Sequence, residues 1–367
     1  MSLRQLTVTD FRNLKTINIE PGDRLNVFFG DNGSGKTSLL ESINTLSLAR
    51  SFRTHKQKNL INHGSQSYTV FGKVENDSSS LFSVGIQRSK NGEGAIRVNQ
   101  KNLTSAAELA ELLPVRVINT SSFLILDGPP LERRSMLDWL MFHVEHEFYG
   151  VWKQHEKCVK QRNSLLRHDK IDPLQLDIWD DELAPLVRRL DTIRSRGFAL
   201  LKEEFYSLIK DIEGLPGQLK LHYSRGWDKE SDICVYLKQH RERDIGLGYT
   251  RHGAHRADIR VTVGGLLASE VLSRGQQKIV ICALLLAQGM AFTRYTQRRC
   301  VYLIDDLPAE LDLIYRKQLC SWLEELGSQV FVTGVQSNEL LESWPETTEY
   351  KLFHVKHGTV AEVTCST

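Results

Sequence analysis

The chain has 367 residues, 41% of them apolar and 25% charged; at about 150 residues per domain this length predicts two to three structural units, and the composition excludes global disorder. Lys and Arg number 47 against 45 Asp and Glu, a formal charge of +2. That near-neutrality excludes coating of nucleic acid by bulk charge, so any such contact must come from a local patch or an assembled surface.

The chain opens on apolar–polar alternation, with no apolar stretch of the kind that drives secretion. Leu6 and Val8, then Ile17 and Ile19, predict a half-buried strand pair. Residues 24–29 form a short apolar run that predicts a buried strand ending at Gly30. Residues 38–48 read as a helix with Leu39, Leu40, Ile43 and Leu46 on one face. Alternation returns over 68–98, broken by Asn76-Asp77-Ser78 and Asn91-Gly92, and 114–119 reads as a further strand. After Gly128-Pro129-Pro130 the pattern turns helical. A break at 168–173 divides residues 131–213 into two long segments, expected as antiparallel helices of about 35 residues and about 50 Å each. Beyond 219 the mixed pattern resumes, with a strand at 259–263, an apolar helix at 276–292 and a strand at 300–304. A helix at 312–326, a strand at 329–333 and a hairpin at 349–363 complete the chain. Strand–helix alternation at both ends around a helical block predicts one α/β domain split by an insertion. Its parts are expected at 1–120, 121–215 and 216–367.

Cys158, Cys234, Cys282, Cys300, Cys320 and Cys365 include no CxxC pair, which predicts buried free thiols in a reduced cytoplasmic compartment. The longest apolar run, 279–292, is too short for a bilayer and contains Gln288, so no membrane partner is expected.

Gly30-Asp31-Asn32-Gly33-Ser34-Gly35-Lys36-Thr37 matches G-x-x-x-x-G-K-[ST], between a predicted buried strand and a predicted helix. Backbone N–H groups of such a loop wrap the β-phosphate of ATP. Lys36 neutralises the β- and γ-phosphates, the Thr37 hydroxyl ligates Mg²⁺, and Ser34 and Ser38 are candidates for minor phosphate contacts. The competing reading is a glycine-rich hairpin turn. A chain of this length meets the pattern by chance at a rate of about 1%, and the strand–loop–helix context favours the phosphate loop. Val301-Tyr302-Leu303-Ile304-Asp305-Asp306 is an apolar strand ending in two acids. Asp305 is the candidate for holding Mg²⁺, and Asp306 for orienting the attacking water as general base. The bland alternative is a strand end capped by solvated acids. Aspartate is one methylene shorter than glutamate, so slow hydrolysis is expected.

Leu272-Ser273-Arg274-Gly275-Gln276 resembles the signature loop of ABC-type ATPases, and Ala309-Glu310-Leu311-Asp312 resembles their D-loop, with Ala309 in place of Ser. Read alone, Leu272-Ser273-Arg274-Gly275-Gln276-Gln277 is an N-cap segment ahead of an amphipathic helix. The resemblance implies that Ser273, Gly275 and Gln276 close over the γ-phosphate held by a second subunit. The separation between Lys36 and Ser273 exceeds that of a transporter ATPase and falls short of a long coiled-coil insertion.

Further segments resemble the RecF family of bacterial recombination-mediator ATPases, of the ABC and structural-maintenance-of-chromosomes class. They are Leu6 to Leu14, Leu124 to Asp138 with Arg133 and Arg134, and Gly253-Ala254-His255-Arg256-Ala257-Asp258, and together with the loops above they extend the resemblance over essentially the whole chain. Met136 and Ala254 depart from the family pattern, which leaves the roles of Arg133, Arg134, His255 and Arg256 open. The resemblance implies an ABC-type head split by a helical lobe and an ATP-dependent homodimer that binds gapped single-strand/double-strand DNA and hydrolyses ATP slowly. It further implies action with RecR and RecO to load RecA on SSB-coated DNA, and roles in replication restart and the SOS response. Arg50, Arg53, Lys56 and Lys58, beside His55, are the candidate DNA contacts, with a solvated basic loop as the alternative; Arg53 could instead sit near the nucleotide. The rival readings are a transport ATPase subunit, a small-molecule kinase, and an interaction module that keeps ATP only as structural glue.

Overall fold

The computed structural model describes residues 1–103, 105–168, 170–210 and 212–363. The chain divides into two compact units, Met1–Ser122 with Lys278–Thr367, and Phe123–Gln277.

The first unit holds two six-stranded sheets. One is an antiparallel sheet built on Ser2–Phe11, Leu14–Ile19, Ser67–Glu75, Leu81–Ser89 and Gly94–Val98. Its first pair is the predicted one, with Leu6 opposite Ile19 and Val8 opposite Ile17. The other sheet has five parallel neighbours in the order Tyr350–Lys356, Leu25–Phe29, Val330–Gly334, Val301–Ile304, Val115–Ile118, with Thr359–Val363 antiparallel at one edge. Leu25–Phe29, Val301–Ile304 and Val330–Gly334 read as unbroken apolar runs because a parallel sheet is covered on both faces.

The helix Lys36–Leu48 corrects the one-faced expectation, since Glu41, Ser42, Asn44, Thr45 and Ser47 are buried along with its leucines. It contacts strands of both sheets and so has no solvent side. Its polar groups bond locally instead. Ser42 Oγ donates to the Leu39 carbonyl at 2.7 Å, Thr45 Oγ1 to the Glu41 carbonyl at 2.8 Å and Asn44 Nδ2 to the Arg50 carbonyl at 2.9 Å. Buried polar groups are tolerated when so satisfied.

The second unit carries Pro130–Val144, Phe148–Leu165 and Pro173–Ile209. The expected pair of equal helices is therefore three helices, of 15, 18 and 37 residues. A break at 145–147 splits the first predicted segment, and Pro173 starts the longest helix behind an Asp172 side chain that caps Leu174 N at 2.9 Å. Proline at the first helical position costs no hydrogen bond. A three-stranded antiparallel sheet of Leu219–Ser224, Asp258–Val263 and Leu266–Leu267 belongs to the same unit. The unit thus runs to Gln277 rather than stopping at the expected boundary of 215. Ion pairs between residues distant in sequence tie its ends together. Arg133 Nε meets Asp258 Oδ1 at 2.7 Å, and Arg194 Nε meets Asp138 Oδ1 at 2.7 Å.

The run 279–292 lies inside the longer helix Arg274–Thr296, which is long and apolar enough to cross a membrane by length and composition alone. In this fold 72% of its apolar window is buried, as in a core helix. Cys158, Cys282, Cys300 and Cys320 are buried free thiols, whereas Cys234 is partly exposed; Cys365 lies outside the described residues.

Candidate active site

Ligands of α/β sheets collect at the carboxyl ends of parallel strands. Here the Gly30–Ser38 loop leaves the end of Leu25–Phe29, and Asp305 follows the end of Val301–Ile304. Val330–Gly334 lies between them in the sheet, so the two strands are about 10 Å apart. Thr333 on that middle strand closes the gap. Its Oγ1 donates to Asp305 Oδ1 at 2.8 Å and accepts from Asp306 N at 2.8 Å. Thr37 Oγ1 reaches the same Asp305 Oδ1 at 3.0 Å. The structure therefore brings the two sequence motifs into direct contact.

The loop's shape depends on its glycines. Gly30 has φ 148° and Gly35 φ 124°. A Cβ on Gly30 would lie 2.2 Å from the Val355 carbonyl oxygen, and one on Gly35 2.7 Å from a Leu14 methyl. Lys36 is nearly buried, and its ammonium donates to the carbonyls of Gly30 at 2.7 Å and Asp31 at 3.0 Å. Burial pulls its pKa down, opposed by the carboxylates of Asp306, Asp305 and Asp31. Burial raises the pKa of Asp305, opposed by the hydroxyls of Thr333 and Thr37, while nearby Asp306 pushes it further up. The helix Lys36–Leu48 starts with no side-chain cap and no acid in its first turn. Its N–H groups and dipole are left to an anion.

A cavity of about 770 Å³ opens over this arrangement. Asn32, Gly33, Gly35, Lys36, Thr37 and Ser38 line it on one side, with Asp305, Asp306 and Thr333 beneath. Gly30 and Asp31 contribute carbonyls to Lys36 instead of lining the cavity. Ser34 is buried and is not among the residues lining the cavity, and its carbonyl accepts from Gly358 N at 2.9 Å. Ser38 donates to Asn13 Oδ1 at 2.8 Å, while Asn13 Nδ2 donates to the Gly33 carbonyl at 3.0 Å. Asn13 thus ties the middle of the loop to the first turn of the helix, a role the sequence reading missed. It also missed Arg12 and Glu41. Buried Glu41 accepts Arg12 Nε at 2.9 Å and Nη2 at 2.7 Å, and it bonds the Ser51 hydroxyl. The signal available was the tight turn at Arg12–Asn13 between two alternating strands, where Arg12 takes φ 55°. Arg53 lines the cavity and stands 4.0 Å from Glu41. Arg50, Lys56 and Lys58 are exposed on the segment that follows the helix. Asp306 takes φ 53°, a left-handed backbone that non-glycine residues adopt at some cost. The oxygen set of Thr37, Asp305 and Thr333 facing an open cavity suits a hard divalent cation such as Mg²⁺.

The signature-like loop belongs to the second unit. Ser273 Oγ accepts Gln276 N at 3.3 Å and Gln276 Oε1 accepts Ser273 N at 2.9 Å, a reciprocal capping box at the start of Arg274–Thr296. The local reading of these residues is therefore realised. Gly275 lies in the first turn of that helix, and Ser273 is exposed.

The residues left open by the sequence take structural positions. Arg133 bonds both oxygens of Asp258 and the carbonyls of Ile125 and Gly128. Arg134 donates to the Ala257 carbonyl at 2.7 Å, and Arg256 lies over the Tyr249 ring. His255 Nε2 donates to the Thr250 carbonyl at 2.9 Å, and burial pushes its pKa down to about 3. The unfolded chain then takes up this proton first. Stability is full above the ordinary histidine pKa of about 6.5 and falls as pH drops from there toward 3. Unfolding midpoints of wild type and His255→Asn between neutral and mildly acid pH test this; equal slopes for both would refute it.

A family model described as the RecF/RecN/SMC N-terminal domain matches residues 2–361. A DNA replication and repair protein RecF of Cellvibrio japonicus is 50% identical over 364 residues, covering 98% of this chain and 99% of the relative. Its counterpart in Pseudomonas aeruginosa (strain UCBPP-PA14) is 44% identical over 364 residues, 99% of this chain and 98% of the relative. Among solved structures, a recombination mediator RecF–ATP complex of the RecFOR pathway superposes with a TM-score of 0.86 at 26% identity, covering 99% of this chain and 97% of that one. An Smc head bound to the C-terminal winged-helix domain of ScpA shares the fold, with a TM-score of 0.62 at 15% identity over 100% of this chain and 98% of that one.

Proposed function

The chain belongs to the RecF family of DNA replication and repair proteins, and from that premise we propose that it is a slow ATPase which dimerises around ATP and acts on DNA in recombinational repair. The observation that carries the reading is the Thr37–Asp305 contact beneath an uncapped helix N-terminus. Asn32, Gly33 and Gly35 cradle the phosphates, and Lys36 exchanges the carbonyls of Gly30 and Asp31 for phosphate oxygens. Thr37 and Asp305 hold Mg²⁺, which when bound offsets phosphate charge. Asp306 orients a water, takes its proton as the oxygen attacks the γ-phosphorus, and ADP leaves as the bridging bond breaks. Its short side chain holds the water loosely, and hydrolysis is slow. Met1–Ser122 with Lys278–Thr367 is the head that binds ATP, and Phe123–Gln277 is the inserted lobe with the signature loop.

A partner copy supplies Ser273, Gly275 and Gln276 to the γ-phosphate. ATP then binds the dimer better than the monomer and so favours it, and hydrolysis releases it. The assembled protein binds gapped DNA, with Arg50, Lys56 and Lys58 among the phosphate contacts. It works in the cytoplasm with RecR and RecO to load RecA onto SSB-coated DNA, and serves replication restart and the SOS response.

Light scattering with ATP and Mg²⁺ tests the composite site. The wild type is expected as a nucleotide-dependent dimer and Ser273→Arg as a monomer. Ser273→Asp separates the two roles of this residue, because aspartate is a good helix cap yet repels a γ-phosphate. A dimer that survives both changes would refute the trans contact.

A further inference from the structure

We propose that the exposed face of Phe148–Leu165 seats the phosphodiester backbone of duplex DNA. This deepens the DNA-binding reading above and rests on it. Lys153, Lys157 and Lys160 stand at i, i+4 and i+7, which places them on one helix face. Arg167, just past the helix end, continues the row, and its Nε donates to the Gly248 carbonyl at 3.2 Å. These four cations line one open groove of about 770 Å³, and all four are exposed.

Several other arginines of this unit are neutralised by carboxylates, as Arg133 is by Asp258, Arg188 by Asp232 and Arg194 by Asp138. Among the described residues, Lys153, Lys157 and Lys160 have no carboxylate partner. Among the described residues the one acid lining the groove is Glu156, and its carboxylate lies 3.7 Å from Nδ1 of the buried His155. A row of unneutralised ammonium groups in a chain of net charge +2 is the local patch that nucleic-acid binding requires here.

The composition of the groove selects the ligand. Lys153 to Lys160 spans about 10 Å along the helix axis at 1.5 Å per residue, on the order of three base-pair steps of 3.4 Å. Gln154 and Gln161 beside the lysines add amide donors that suit phosphate oxygens. Among the described residues no aromatic ring lines the groove, so within it unstacked bases meet no stacking platform and a duplex is favoured over a single strand. Recognition is through the backbone and carries no base preference.

The test uses the full chain with Mg-ATP and a short random duplex, read by fluorescence anisotropy between about 50 and 200 mM salt. Removing three phosphate contacts with the triple variant K153Q/K157Q/K160Q is expected to lower the slope of log K against log salt by about 2.7. ATP affinity and the thermal unfolding midpoint should match wild type. A variant with the wild-type slope would overturn the proposal, as would a loss confined to single-stranded DNA. Competition by polyglutamate as effective as that by duplex would also overturn it, by marking a site for acidic protein. Failure of the underlying reading looks different: the wild type would bind neither ATP nor any DNA, whereas a wild type that binds ATP but no duplex refutes the stripe alone.

Discussion

Replacing Lys36 by alanine is expected to weaken ATP binding by about 10- to 150-fold and to reduce phosphate release to the blank. That range corresponds to one hydrogen bond to a charged group, about 1.5–3 kcal/mol, at a factor of ten per 1.4 kcal/mol. The ammonium now sits on the carbonyls of Gly30 and Asp31, at the floor of the loop. Asp305→Asn makes a contrasting case. The amide keeps the shape and one acceptor for Thr37 and Thr333 but loses the charge that suits a divalent cation. Nucleotide binding without Mg²⁺ should then survive, while Mg²⁺-dependent turnover disappears. Titration with a fluorescent nucleotide and a phosphate-release assay measure both variants. Wild-type turnover in Lys36→Ala would reduce the loop to a glycine-rich turn. Wild-type turnover in Asp305→Asn would remove the carboxylate from the metal.

Arg162→Ala should be the most damaging single change in the second unit, destabilising it by about 3–5 kcal/mol. Arg162 is fully buried, with Nε on Asp180 at 2.7 Å and Nη1 on Asp244 and Thr250, both at 2.8 Å. Alanine leaves two buried carboxylates short of a cation. Asp180 keeps Arg241 at 2.7 Å, whereas Asp244 keeps only the Arg251 N–H, at 3.1 Å, among its hydrogen bonds with described residues. Asp244 therefore bears most of the cost, and Arg162→Ala with Asp244→Asn should recover part of it. Against a typical total of about 5–15 kcal/mol the single loss is large. Hydrogen exchange in Phe148–Leu165 and Pro173–Ile209, followed with urea unfolding, assigns the loss to this unit. A change below about 1 kcal/mol would mean that the buried carboxylates find other partners.

Much of the first unit was readable because its signals are local. The period-two alternation of Leu6, Val8, Ile17 and Ile19 follows from one sheet face meeting the core, and the pairing register agrees with it. The phosphate loop was readable because its glycines are needed for backbone shape, a requirement that does not depend on distant residues. Asp305 was readable as an acid ending an apolar run.

What the sequence did not reveal depends on contacts between residues far apart in the chain. Thr333 is an unremarkable strand residue until the sheet order sets its strand between those that lead to Lys36 and Asp305. Glu41 reads as the polar side of a helix until two sheets enclose that helix and Arg12 bonds the carboxylate. The boundary read at 215 follows a change in composition, whereas the compact unit extends to Gln277 and is tied by Arg133–Asp258 and Arg194–Asp138. By itself the sequence determined the phosphate loop, the acid-ended strand and the periodicity of most elements, since each is set by neighbours within a few residues. Only the tertiary structure decided which groups meet at 3 Å, because hydrogen bonds and ion pairs form between positions that sheet order and helix packing bring together.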